Sequence, residues 1–147
     1  MFKRIITVFA AILSISSITA QAKDSPESMR KLAEAVNQEL WNNHDISAID
    51  RYFAKDYIQH SAGADGSEGL KAFATSFFKK FPEFKVESKR IIVENDILVN
   101  FSVTRINPQD IGQTCFDMLR VKNGKFVEHW DSCQDIPKER LNKNLPW

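Results

Sequence analysis

Only two cysteines occur in the 147 residues, too few for a disulfide-built scaffold. Their spacing, Cys115 and Cys133, fits no zinc signature. Glycine-rich phosphate loops, a nucleophile elbow and paired-histidine metal motifs are missing as well. So is an excess of either charge, with 20 Lys and Arg against 19 Asp and Glu. The basic pairs Lys79-Lys80 and Lys89-Arg90 read as solvated faces. This balance argues against a nucleic-acid partner. There is no internal repeat, low-complexity tract or linker. The one long apolar run, Ile5 to Ile18, is interrupted by Thr7, Ser14, Ser16 and Ser17. It falls short of the ~20 residues a membrane span requires.

That run has another reading. Met1-Phe2-Lys3-Arg4 precedes it as a basic start, and Ala20-Gln21-Ala22 follows as a small-x-small site. The pattern is that of a secretory signal peptide over 1–22, cut before Lys23. The expected mature chain, 23–147, is then periplasmic or secreted, with no membrane span. Losing Lys3 and Arg4 leaves 18 basic residues against 19 acidic, a formal charge of −1. An oxidising compartment permits a Cys115–Cys133 bridge without requiring one.

The remainder is one domain with 43% hydrophobic residues and 11 phenylalanines, enough for an aromatic core or pocket. Ser25 can cap a helix running to about Asn42, with Pro26 in its first turn and Met29, Leu32, Val36 and Leu40 at helical spacing. Asp45 can cap a short second helix over 46–54, and 56–60 is a short extended piece. A third helix, Ser67 to Lys80, carries Leu70, Phe73, Phe77 and Phe78 and stops at Phe81-Pro82. From Phe84 the apolar period becomes two, giving strands to about Val93 and over 97–106, then a hairpin. Helices followed by antiparallel strands make an α+β fold, a cone-shaped barrel of three helices on a curved sheet with an internal pocket.

The hairpin is the richest segment. Asn123-Gly124 joins Cys115–Arg120 to Phe126–Asp131, and two carboxylates and an imidazole sit where a half-buried sheet should be apolar. A type I turn with Gly124 as a left-handed bulge sets Val121 opposite Lys125, Asp117 opposite His129 and Cys115 opposite Asp131. A two-residue primed turn would instead set Asp117 against Trp130. The first choice groups Asp117, His129 and Asp131 on one face and puts Phe116, Met118, Glu128 and Trp130 on the other. On that face the two cysteines are diagonal neighbours.

Tyr57-Ile58-Gln59-His60, Gly69-Leu70, Phe81-Pro82, Glu94-Asn95-Asp96 and Asp117-Met118-Leu119-Arg120 together resemble the SnoaL-like polyketide cyclases of the nuclear transport factor 2 superfamily. The run Asn123 to Asp131, with Gln134 and Ile136-Pro137 after it, carries most of the resemblance. The chain departs from many relatives at Ser61-Ala62, where Asn-Pro follows the histidine. The resemblance implies a homodimer packed through the outer sheet face and aldol-type ring closure with neither cofactor nor metal. It also implies Asp131 as the base, with His129 beside it and His60 pointing inward from a separate segment.

Burial among phenylalanines would raise the pKa of Asp131 and suit it to take a proton α to a carbonyl. Asp117 would be the neutral donor to the enolate. Gln59, Trp41, Tyr52, Phe77 and Phe81 are the candidate pocket wall, and Glu128 a structural ion-pair partner. The partner expected is a small apolar carbonyl compound. A ligand-holding protein and a dimeric scaffold are the alternatives.

Overall fold

The computed structural model describes residues 24–147, so the expected signal peptide lies outside the described residues. Among those described, no helix is long and apolar enough to cross a membrane.

Helix α1 (Pro26–Val36) starts as the capping residues dictate: the Ser25 hydroxyl oxygen accepts from the Ser28 N–H at 3.1 Å. It buries Met29, Leu32, Ala33 and Val36. The helical course continues to Asn42, as the periodicity requires, but widens to π-helical pitch over Asn37–Asn42. The wider pitch seats Asn37 and Trp41 in the wall of a cavity, a common use of π segments. Helix α2 (Ala48–Tyr52) is shorter than its sequence pattern because Phe53 already begins strand β1 (Phe53–Gln59). Helix α3 (Gly66–Lys80) ends where Phe81-Pro82 stops it.

Strands β2 (Lys85–Glu94), β3 (Ile97–Arg105), β4 (Gln113–Lys122) and β5 (Lys125–Asp135) follow. The sheet order is β1-β5-β4-β3-β2, antiparallel throughout except that β1 pairs parallel with β5. The short extended piece is thus a full edge strand. Its orientation was illegible because parallel pairing needs a long crossover and leaves no turn signal. The three helices cover the concave face of this open sheet. Tyr57, Leu98, Leu119, Val121 and Phe126 from the strands meet Met29, Leu40, Ile49, Leu70 and Phe78 from the helices. Each large apolar side chain so buried contributes about 1.5–3 kcal/mol.

The hairpin register corrects the expected one. Asn123 (φ 54°) and Gly124 (φ 70°) are both left-handed, so they form a two-residue primed turn flanked by Lys122 and Lys125. The pairing does not stay in that register, because the ladder slips at a bulge. Val121 faces Phe126, whereas Arg120 faces Glu128, leaving Val127 unpaired. Asp117 therefore lies opposite Asp131, and neither His129 nor Trp130 is its partner. Cys115 lies opposite Cys133, not Asp131, and the two form a disulfide with Cα atoms 4.2 Å apart. The grouping of faces survives, because the true register and the expected one differ by an even number of residues.

Candidate functional site

A cavity of about 530 Å³ lies between the helices and the concave sheet face. Trp41, Phe53, Phe73, Phe77, Phe84 and Phe126 give it an aromatic wall. On the sheet face beneath it, β3, β4 and β5 set their side chains in rows: Leu98–Leu119–His129, then Asn100–Asp117–Asp131, then Ser102–Cys115–Cys133, of which all but Leu98 and Ser102 line the cavity. Asp117, His129 and Asp131 each present a ligating atom within 4.8 Å of the others.

The hydrogen bonds around His129 fix its tautomer. Gln59 Oε1 accepts from the backbone N–H of Ser61 at 3.1 Å, so this oxygen faces the loop. It also lies 2.9 Å from His129 Nδ1. A carbonyl oxygen only accepts, so Nδ1 carries the proton. His129 Nε2 stands 3.3 Å from Asp117 Oδ1. A hydrogen bond across that gap takes one proton, from an imidazolium or from a protonated carboxyl. His129 Nε2 and Asp117 Oδ1 are thus placed so that one proton between them would make a hydrogen bond. With Nδ1 held by Gln59, Nε2 and the two carboxylates are also the donors a divalent cation would use.

Asp131 has a different setting from the one its sequence position suggests. It is exposed at the rim and not sunk among phenylalanines, and its Oδ1 accepts from the Ser61 hydroxyl at 2.5 Å. Ser61 thus supplies the rim carboxylate with a hydrogen-bond donor. Tyr57, which the sequence reading did not assign to the site, is 2% exposed and lines the cavity. Burial, then the nearby Asp117 and Asp131 carboxylates, push its hydroxyl well above the ordinary phenol value. It is therefore a persistent hydrogen-bond donor. The signal that could have found it is simple: Tyr57 and Gln59 alternate on one strand and must share a face.

Of the other sequence candidates, Gln59, Trp41 and Phe77 line the cavity, while Tyr52 and Phe81 do not. The Tyr52 hydroxyl donates to Glu39 Oε1 at 2.7 Å, because the short α2 turns it toward the Arg51 ion pairs. Phe81 packs behind Phe77 at 5.1 Å between ring centroids. His60 does not point inward either. One residue past Gln59, alternation carries it to the outer face, where it stacks on Trp130 at 4.6 Å and meets Glu128 Oε1 at 2.9 Å. Glu128 sits on that face as expected, also paired with Arg120 at 2.8 Å.

This α+β fold, with a cavity between helices and a five-stranded sheet, is of the nuclear transport factor 2-like class. The sequence profile of the SnoaL-like polyketide cyclase family matches residues 31–140, and the chain belongs to that family. Solved structures carry the same fold. A SnoaL-like protein of unknown function from Burkholderia thailandensis superposes with a TM-score of 0.65 at 13% identity, over 77% of this chain and 99% of its own. TsrD from Streptomyces laurentii gives 0.63 at 20% identity, over 74% of this chain and 90% of its own. IdmH from Streptomyces antibioticus gives 0.61 at 20% identity, over 71% and 90%. Comparison with curated proteins gives no match.

Proposed function

We propose that this protein is an exported, cofactor-independent enzyme of the lyase or isomerase type. Its substrate would be a small, largely apolar carbonyl compound held in the aromatic cavity. The observation that carries this reading is the convergence of Asp117, His129 and Asp131 in one cavity, with the His129 tautomer fixed by Gln59. Asp131, oriented by Ser61, takes the proton α to the carbonyl. The Asp117–His129 pair, with the Tyr57 hydroxyl beside it, supplies hydrogen bonds and a proton to the oxyanion that develops. Aldol-type closure needs this enolate, which fits the family the chain belongs to. Export is supported by residues 1–22 and by the Cys115–Cys133 bridge, which suits an oxidising compartment. Pairing of two copies is supported by the apolar outer sheet face, where Phe116, Ile92 and Ile58 are exposed.

The test is exchange of the α-hydrogens of 2-tetralone in D2O, followed by mass spectrometry. The intact protein should accelerate exchange, and Asp131→Asn should slow it on the order of 10²- to 10⁴-fold while keeping affinity. Exchange should survive prolonged dialysis against a chelator. Loss of exchange on chelation and its return with a divalent cation would replace the proton-sharing account with a metal-based one. Binding of 2-tetralone with no exchange in the intact protein would identify a ligand-holding protein, the reading that the aromatic wall favours by itself.

A further inference from the structure

On the β3 side of Asp117 the cavity floor carries one more polar side chain. Asn100 is Asp117's direct cross-strand partner and only 4% exposed, yet it lines the cavity. Its orientation is set by a relay through Ser88 to Asn37, which itself stands in the cavity wall. The Asn37 amide donates to Ser88 Oγ at 2.6 Å, and the Ser88 hydroxyl donates to Asn100 Oδ1 at 2.7 Å. The relay joins three elements: Asn37 opens the π-helical segment, Ser88 sits beside the irregularity in β2, and Asn100 is central in β3.

With its oxygen engaged by Ser88, Asn100 has the amide nitrogen left over. No protein group among the described residues accepts from that nitrogen. The one buried side-chain polar atom without a partner among the described residues is Ser102 Oγ. The Asn100 nitrogen therefore keeps accessible surface, and the surface available to it is the cavity. A donor whose carbonyl is held by Ser88 and whose nitrogen is open to the cavity is a site for an oxygen of the occupant.

We propose that the Asn100 amide is a specificity-determining anchor for a second oxygen of the ligand, hydroxyl or carbonyl, distinct from the one activated at Asp117 and Asp131. The inference rests on the cavity being the ligand site proposed above. Asn100, Asp117 and Asp131 form one row across three strands, and strands are spaced about 4.8 Å apart. The favoured compound is then flat, oxygenated along the edge that lies on this row, with apolar faces toward Trp41 and Phe77. A singly oxygenated compound that displaces water from this row leaves the Asn100 donor unpaired, and this is what discriminates against it.

Binding of tetralin, 2-tetralone and the ring-hydroxylated 2-tetralones to the full protein tests this. At least one hydroxylated isomer should bind about tenfold more tightly than 2-tetralone, the gain of one well-placed hydrogen bond. In Asn100→Leu that gain should fall to about twofold or less while tetralin affinity, which also reports a correctly folded cavity, is kept. Ser88→Ala, a milder change, should lose part of the gain, and Ser88→Thr should restore it. The proposal is overturned if no isomer shows a gain, if Asn100→Leu weakens all three classes alike, or if Ser88→Ala leaves the gain intact. Exchange of 2-tetralone by the intact protein is scored separately, since it involves no second oxygen. Exchange without any gain removes the anchor and keeps the base, whereas gain without exchange keeps the anchor in a cavity that only binds.

Discussion

At the scale of single residues, polar atoms off the main site carry two predictions. Ser102 Oγ is fully buried with no hydrogen-bond partner among the described residues, a desolvation cost with nothing there to offset it. Ser102→Ala should raise unfolding free energy by about 1 kcal/mol, read from urea denaturation. Glu128 has its pKa held below the ordinary carboxylate range, first by the hydrogen bond from Arg120 and then by that from His60. A depressed carboxylate pKa stabilises the fold above the unfolded value and ceases to do so as pH falls through the folded one. Glu128→Gln should therefore be less stable than the parent at pH 7, with the difference closing below about pH 4. A gap that persists unchanged in acid would mean the Arg120 and His60 contacts contribute nothing through charge.

At the scale of elements, the hairpin shows both what pattern can and what it cannot give. Alternation sorted Asp117, His129 and Asp131 onto one face from sequence, and that grouping is correct because side-chain direction depends only on parity. The partner across the ladder depends on the turn type and on the bulge at Val127, which no composition signal announces. The bridge follows from this register: Cys115 and Cys133 meet only once Val127 is unpaired. It closes a sequence separation of 18 residues, a loop for which the chain-entropy estimate is about 3 kcal/mol. The double variant Cys115→Ser with Cys133→Ser should lose about that much stability in equilibrium denaturation. A loss near zero would show that the turn and bulge hold the ladder without the cross-link.

At the scale of the whole molecule, the sheet has two unlike faces. The concave one is covered by helices and holds the cavity. The outer one exposes Ile58, Ile92 and Phe116, with Phe116 stacked on Phe101 at 4.4 Å. The C-terminal Trp147 lies against Lys89 and Arg105, and no residue after Cys133 lines the cavity, so the tail does not close it. If the outer face is a self-complementary contact, one charge in its middle suffices to oppose it. Phe116→Glu should sediment as a monomer at concentrations where the parent sediments as a dimer, with its fold intact by circular dichroism. A parent that is itself monomeric would remove pairing from the proposal.

The amino-acid sequence by itself determined most of the elements, the α+β class and the sheet face on which Asp117, His129 and Asp131 lie. These depend on local periodicity, capping and turn residues, which act between near neighbours in the chain. It also carried the family, through the Asn123–Asp131 run and the motifs before it. The tertiary structure alone decided that β1 joins β5 in parallel and that the bulge sets Asp117 against Asp131. It also stacked His60 on Trp130 and set Asn100 beside Asp117 on the floor of the cavity. Each of those results depends on contacts between residues far apart in sequence, and the hydrophobic pattern of one segment holds no record of which other segment it will meet.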